Sequence, residues 1–74
     1  MIKINKNQIH RFRKIKEGYL YPITQGIYLG FDKNLEYTGI EFFYAYGYKK
    51  INQVAEEKLE DLIAKDLLVV SDYE

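Results

Sequence analysis

The sequence contains no cysteine among its 74 residues. That absence excludes disulfides, zinc–thiolate sites and thiol catalysis. No N-terminal apolar stretch resembles a signal peptide, and no apolar run approaches the roughly 18 residues of a membrane-spanning helix. Because a small domain without disulfides is typical of a reducing compartment, we expect a cytoplasmic protein that does not enter a membrane.

Proline occurs once, and no segment has the composition of a linker, a repeat or a low-complexity tract. We therefore expect a single domain over residues 1–74. A domain of this size buries only about 60% of its unfolded surface, so its core must be efficient. The 47% of hydrophobic residues, eight tyrosines and four phenylalanines among them, supply that core and make disorder unexpected.

The formal net charge is zero, but opposite charges are separated along the chain. Residues 1–26 carry six Lys or Arg and one Glu, a net +5, whereas residues 51–74 carry two Lys and seven acidic residues, a net −5. The two segments either attract each other in the fold or present two oppositely charged surfaces. The sequence leaves both arrangements open.

The N-terminal part predicts a short strand followed by a short helix. Weak alternation over residues 1–4 indicates the strand. Over residues 7–18, Asn7 can cap a helix and Gly18 can end it. Apolar side chains recur between them at a spacing of three residues: Ile9, Phe12, Ile15. An irregular basic arm fits the same segment nearly as well.

The middle of the chain predicts a β-hairpin. Residues 26–31 form one strand, Asp32-Lys33-Asn34 has the composition of a turn, and residues 35–44 form the second strand. Strict alternation places one set of side chains on one face, namely Thr38, Ile40, Phe42 and Tyr44. It places the other set on the opposite face, namely Tyr37, Gly39, Glu41 and Phe43.

The C-terminal part predicts a helix over about residues 54–64, with Asn52 as its N-cap and acidic residues near its start. The apolar stripe of this helix consists of Ala55, Leu59, Leu62 and Ile63. After a turn at Lys65-Asp66, residues 67–70 form a strand whose edge leaves the pairing of two copies open. The expected class is α+β, a small antiparallel sheet of three to five strands with this helix packed on it.

Residues 37–70 resemble a small phage module. The quoted pattern is Gly39-Ile40-Glu41-Phe42, a turn, a short valine-bearing segment, Glu57-Lys58-Leu59-Glu60-Asp61-Leu62 and Asp66-Leu67-Leu68-Val69-Val70. It is similar to the N-terminal domain of Mu-like (FluMu-type) prophage proteins, with a departure at Tyr44-Ala45-Tyr46-Gly47-Tyr48. The resemblance implies a phage or mobile-element context, no catalysis and residence in the host cytoplasm or the virion.

Few residues could support catalysis or metal binding. His10 lies among cations, Ser71 has no evident base beside it, and the chain is short for an enclosed pocket. The helix carboxylates have no EF-hand spacing and are best explained as a solvated face. We therefore expect no enzyme, no cofactor and no metal site.

Nucleic-acid binding is the alternative function. Residues 10–21 interleave cations, which can contact phosphates, with aromatic rings, which can stack on unpaired bases. The candidate residues are Arg11, Arg13, Lys14, Lys16, Tyr19 and Tyr21. The zero net charge argues against this function, because nucleic-acid-binding domains are often strongly basic.

Protein binding is the preferred function. Tyr44, Tyr46 and Tyr48 continue the face of Ile40 and Phe42, and tyrosine is enriched in interface anchors. The same tyrosines could instead cover the edge of the core with their hydroxyls in water. The acidic helix residues Glu56, Glu57 and Glu60 complete the candidate surface. We expect a non-enzymatic interaction module that acts in virion assembly or inhibits a host defence protein, with a host or phage protein as its partner.

Overall fold

The structure is a computed structural model that describes residues 1–42 and 51–71. Its elements follow one another as β1 (Ile2–Ile4), a 3₁₀ helix (Lys6–Arg11), β2 (Arg13–Ile15), β3 (Gly18–Thr24), β4 (Ile27–Asp32), β5 (Tyr37–Phe42), α1 (Ile51–Ala64) and β6 (Leu68–Val70). Strands β2 to β5 form a four-stranded antiparallel meander, and β1 pairs antiparallel with β6 in a second sheet. The α+β architecture is confirmed, but six strands exceed the three to five that we expected.

The two sheets are joined through β1. One edge of β1 faces the turn between β4 and β5. There the main chains of Lys3 and Glu36 form an isolated antiparallel β-bridge, and the Ile4 amide donates to the Leu35 carbonyl at 2.8 Å. Its other edge pairs with β6, so β1 lies between β6 and that turn. The strand predicted at residues 1–4 is therefore confirmed, and it ties the C-terminal strand to the main sheet.

The helix predicted over residues 7–18 is wrong, and so is the irregular arm. A 3₁₀ helix capped by Asn5, whose side chain accepts from the Asn7 amide at 3.1 Å, ends at Arg11. Phe12 then takes an extended conformation, and the next three residues pair with β3. The spacing of three was misleading because pairing with β3 supplies main-chain partners that a short helix would have to find within itself.

The predicted hairpin is confirmed as β4 and β5, with a bulge that the alternation did not show. The turn is held by Asp32, whose Oδ1 accepts from the Asn34 and Glu36 amides at 2.8 and 3.0 Å. Across the two strands, Phe31 pairs with Tyr37 and Gly30 with Gly39, so Thr38 has no cross-strand partner. Because the bulge adds one residue to β5, the side chain of Tyr37 lies on the same face of the sheet as that of Ile40. The Tyr37 ring centroid lies 5.6 Å from that of Phe31. The predicted opposition of Tyr37 and Ile40 is therefore wrong.

Helix α1 begins earlier than predicted, since Ile51 is already helical and Asn52 therefore lies inside the helix instead of capping it. No acidic residue falls in its first turn, which corrects the expected dipole contact at that end. The predicted stripe is confirmed, with Ala55, Leu59 and Leu62 buried and Ile63 half-buried. The helix ends in two main-chain hydrogen bonds, from Asp66 to Ile63 at 3.1 Å and from Leu67 to Leu62 at 2.9 Å. This is a Schellman-type end with Asp66 at the left-handed position, φ 64°.

The core draws on both sheets, the 3₁₀ segment and the helix. Phe12 lies at its centre, with ring centroids 5.2 Å from Tyr21 and 5.4 Å from Phe31. The remaining buried members of the cluster are Ile4, Leu29, Leu35, Ala55, Leu59, Leu62, Leu67 and Leu68. Helix α1 thereby packs against β3 and β6, which sets the position of its exposed side chains.

Candidate interaction surfaces

Helix α1 presents an acidic face to solvent. Glu56, Glu57 and Glu60 are all exposed, away from the buried stripe of the helix. Within residues 1–42 and 51–71 the only salt bridge joins Lys65 to Asp61, at 3.2 Å, so these three carboxylates have no cationic partner. Since Glu56 and Glu60 lie one helical turn apart, their mutual repulsion favours a cationic ligand.

An open groove runs beside this face. It has a volume of about 300 Å³ and is lined by Ile23, Val54, Glu57, Lys58 and Asp61. We call it the α1 groove. Val54 is 41% exposed, although α1 packs against β3. The groove therefore combines exposed apolar surface from the helix and from β3 with a charged rim.

The lysine of the α1 groove is engaged with the sheet. Its Nζ lies 5.8 Å from the centroid of the Tyr21 ring, which packs against Phe12 at an interplanar angle of 58°. A cation held over an aromatic face is attracted by the ring quadrupole, and Lys58 is half-buried there. Since Lys65 pairs with Asp61, the rim charges that make no salt bridge are those of Glu57 and Lys58.

The predicted tyrosines Tyr44, Tyr46 and Tyr48 lie outside the described residues. The residue that leads into that segment, Phe42, is 50% exposed at the end of β5. It pairs with Ile27 at the end of the sheet where β3 turns into β4. An exposed phenylalanine at a strand end is a second apolar feature of this part of the surface.

The basic segment, residues 10–21, does not form one stripe. The register pairs Arg13 with Leu20 and Lys14 with Tyr19, so Arg13 and Lys14 project from opposite faces of the sheet. Lys14 lies over the Tyr19 ring, at 5.1 Å, as Lys58 does over Tyr21. Both rings thus have a lysine over one face, which reduces the aromatic surface open to a base.

The cations of the basic segment nevertheless remain open to solvent. All four side chains are exposed and none makes a salt bridge: Arg11, Arg13, Lys14, Lys16. Arg11 ends the 3₁₀ helix and Arg13 begins β2, and both are exposed on either side of the buried Phe12 in the sequence. The structure therefore divides the predicted site: Arg13 and Lys14 lie on opposite faces of β2, whereas Arg11 ends the 3₁₀ helix and Lys16 lies in the turn after β2.

Residue patterns identified part of the α1 groove and missed the rest. The helical period predicted that the glutamates are exposed, but it was not used to predict an exposed Val54. This residue lies outside the apolar stripe, about 100° from Ala55 around the helix. An apolar residue beyond a complete stripe is the signal that could have found it. Ile23 had no such signal, because β3 itself was not predicted.

The remaining chemistry of the described residues is sparse. His10 is exposed at the end of the 3₁₀ helix. Residues 1–42 and 51–71 contain no cluster of three or more metal-ligating His, Asp or Glu side chains, and no helix in that part of the chain is long and apolar enough to cross a membrane. The absence of catalysis and of a cofactor stays a prediction.

No protein family, curated protein or solved structure matches the chain. The resemblance to the Mu-like prophage domain therefore stays a prediction as well.

Proposed function

We propose that this protein is a non-enzymatic interaction module that binds another protein through the α1 groove and the acidic face of α1. The observation that carries the proposal is Val54, which is exposed beside Ile23 in a groove that borders the acidic face of α1, whose three glutamates make no salt bridge. An apolar recess next to charge of one sign is a recurrent form of peptide-binding site.

The chemistry of the α1 groove defines the partner. A leucine or phenylalanine side chain buried against Ile23 and Val54 would contribute about 1.5–3 kcal/mol. Lysine or arginine residues beside it would meet Glu56, Glu57 and Glu60, which favours fast association and selectivity more than affinity. The partner is therefore a segment with an apolar anchor flanked by basic residues, as found on many nucleic-acid-binding proteins. A role in virion assembly or in the inhibition of a host defence protein follows only from the resemblance.

A displayed library of random peptides, selected against the purified protein, tests this proposal. Enriched peptides should contain a large apolar residue flanked by Lys or Arg, and their binding should weaken as salt rises. Val54→Ser should reduce the affinity of an enriched peptide about five- to tenfold, as expected from the loss of about 1 kcal/mol of apolar contact.

The matched control is Val69→Ser, because Val69 is 42% exposed and lies on β6, outside the groove. It should leave peptide binding unchanged. Circular dichroism and urea midpoints establish that both variants fold. A library that yields no apolar–basic consensus, or equal losses for the two variants, contradicts the proposal.

The contribution of the tyrosines is tested separately. Replacing Tyr44 and Tyr46 with serine should further weaken the binding of a selected peptide if the aromatic segment belongs to the same surface. Unchanged affinity in a folded double variant would remove these tyrosines from the site and leave the groove as the binding surface.

Nucleic-acid binding is the second candidate, favoured by the four exposed cations without a salt-bridge partner. Fluorescence anisotropy with a labelled single strand and a duplex should then show binding that falls with salt, with a log–log slope of at most about −4 for four phosphate contacts. Combined Arg11→Ala and Arg13→Ala should weaken it for every sequence alike. Absence of binding at low salt would eliminate this candidate.

A further inference from the structure

The residues of α1 that line the α1 groove form one row along the helix. They occupy positions i, i+3, i+4 and i+7, namely Val54, Glu57, Lys58 and Asp61. At 1.5 Å per residue the row is about 10 Å long, which corresponds to two turns. Side chains at these positions lie on the same side of a helix, and such rows are the ridges that one α-helix presents when another packs beside it.

The main chain of this row is already hydrogen-bonded within α1. Residues 54–61 lie beyond the first three residues of the helix, so their amides donate along the helix. At the far end of the row the Asp61 carbonyl accepts from the Lys65 amide at 3.1 Å, and the carbonyls before it accept in the same way from amides four residues later. The helical wall of the groove therefore offers a ligand side chains but no free main-chain groups.

The opposite wall of the groove, Ile23 on β3, is a poor site for strand pairing. On one side β3 pairs with β4 from Gly18 to Thr24, with one irregularity at Ile23. On the other side its pairing with β2 stops at Leu20, and the residue before Ile23 is Pro22, which has no N–H to donate. Proline on a strand edge prevents the addition of a further strand. An extended ligand in the groove would therefore find no ladder to join among the residues that line it.

These two walls restrict the conformation of an occupant. A main-chain N–H or C=O group that is removed from water without a partner costs free energy comparable to a lost hydrogen bond. An extended peptide usually avoids this cost by pairing with a strand edge, whereas an α-helix makes its main-chain hydrogen bonds within itself. Because the walls supply no such edge, the groove favours a helical occupant.

The side chains of the row place apolar surface and charge in a fixed order. Val54 and Ile23 form the apolar part of the groove. Lys58 lies on the sheet side of the row, half-buried, with its ammonium over an aromatic ring of β3. Glu57 lies on the solvent side, and Glu60 follows it three residues later on the same side, also exposed. An occupant therefore meets apolar surface in the middle and carboxylates along its solvent side.

We propose that the α1 groove binds an amphipathic α-helix of the partner protein, laid along α1 from Val54 to Asp61. The inference rests on the proposed function and adds the conformation of the partner. One apolar residue of the bound helix packs against Ile23 and Val54, and a second, at i+3 or i+4, lies over the aliphatic stem of Lys58. Lysine or arginine residues occupy the side of the bound helix that faces Glu57.

The length of the row determines how the affinity depends on helix formation. Only about two turns of the partner are in contact, whereas isolated helices shorter than about 12–15 residues are marginal in water. A free peptide therefore becomes helical as it binds, and its helix propensity contributes directly to its affinity. A groove that binds extended peptides has no such dependence, so helix propensity distinguishes the two modes.

Two synthetic peptides of identical Leu, Lys and Ala composition, each about 16 residues long, test the proposal. One has leucines at i, i+3, i+4 and i+7, and in the other the leucines alternate with polar residues at a period of two. In fluorescence anisotropy the helical-period peptide should bind about tenfold more tightly, the factor expected for one or two unmade main-chain hydrogen bonds. Circular dichroism should show that it gains helix on binding. Val54→Ser should weaken its binding about five- to tenfold, and Val69→Ser should not.

A substitution series in the helical-period peptide tests the conformation a second time. One central alanine, on the side away from the leucines, is replaced by glycine and by proline. Glycine should weaken binding about fivefold and proline by more than about 100-fold, as the helix propensities of these residues predict. Nuclear magnetic resonance of the labelled protein should show amide shifts at both ends of the row, Val54 and Asp61, when the peptide binds. Shifts at the Val54 end alone contradict a helix laid along α1.

The outcomes separate this inference from the proposed function. If the period-two peptide binds as tightly in a Val54-dependent manner, or if proline is tolerated, the occupant is extended; the helical inference is then overturned and the proposed function stands. If neither peptide binds in a Val54-dependent manner, both are overturned. Sedimentation equilibrium of the protein alone tests a second copy as the occupant. A dimer that Val54→Ser dissociates would assign the groove to α1 of another copy and overturn the binding of a different protein there.

Discussion

Gly18 occupies the tightest main-chain position among the glycines whose surroundings the structure describes. It opens β3 and pairs with Ile15 on one side and Asp32 on the other. A Cβ atom at this position would lie 1.9 Å from the Phe31 carbonyl oxygen and 2.9 Å from two main-chain atoms of Asp32. Because these neighbours are main chain, no side-chain rotation can relieve the contact. Gly18→Ala should therefore separate β3 from β4 at this point.

The magnitude follows from the distance. Restoring an ordinary contact of about 3.4 Å requires the two strands to move apart by about 1.5 Å, which exceeds what a main-chain hydrogen bond tolerates. The loss of one or two such bonds costs about 1 kcal/mol each, and loosening the core around Phe31 adds about 1–3 kcal/mol. The total of about 2–5 kcal/mol compares with the roughly 4–11 kcal/mol that holds a 74-residue domain together.

Two other glycines serve as controls in urea unfolding followed by circular dichroism. At Gly39 a Cβ would meet nothing within 4 Å, so Gly39→Ala should cost only the strain of its φ of 122°, about 1–3 kcal/mol. At Gly30 a Cβ would lie 2.9 Å from the Glu41 Cγ and 3.2 Å from the Gly39 carbonyl oxygen, so Gly30→Ala should cost about 1–2 kcal/mol. The reasoning is refuted if Gly18→Ala is no more destabilising than Gly39→Ala.

Three further predictions concern single residues and are measured by urea unfolding. Asp66→Gly should stabilise the protein by about 0.5–1 kcal/mol, because it relieves the left-handed conformation at the end of α1, and Asp66→Ala should not. Leu35 is buried and has a φ of 73°. Leu35→Ala should lower the free energy of unfolding by about 2–4 kcal/mol, and Leu35→Gly should lower it by about 1 kcal/mol less, although glycine is usually the more destabilising replacement. Burial raises the pKa of Tyr37 above its ordinary value of 10.0, so the neutral phenol stabilises the fold below that pH and this contribution is lost as pH rises past it. Tyr37→Phe should therefore lose less stability than the parent between about pH 9 and pH 11, and an equal loss would contradict the assignment to Tyr37.

The elements predicted correctly are those whose pattern is local. The stripe of α1 repeats with the helical period, and the hairpin has a turn whose Asp32 side chain caps its own main chain. The segment around Phe12 was predicted wrongly because a spacing of three is a local helical pattern, whereas residues 13–15 are extended through their pairing with β3, a contact that the pattern does not contain. Strand β3, which pairs with both β2 and β4, was not predicted.

The same division holds for the candidate surface. The glutamates of α1 were expected on the solvated side of the helix, and they lie there. The apolar part of the α1 groove could not be predicted, since Ile23 and Val54 are more than 30 residues apart in the chain and are brought together only when α1 packs on β3. The basic segment was expected as one surface, and a strand divided it between two faces.

By itself, the sequence determined the α+β class, the exclusion of cysteine chemistry, the buried stripe of α1 and the acidic face opposite it. These properties depend on composition and on periods of two and 3.6 residues, which are present in the chain before it folds. Only the tertiary structure decided the face of Tyr37, the separation of Arg13 from Lys14 and the α1 groove. Each of these depends on strand register or on contacts between distant segments, and a shift of one residue in register exchanges the faces of a strand.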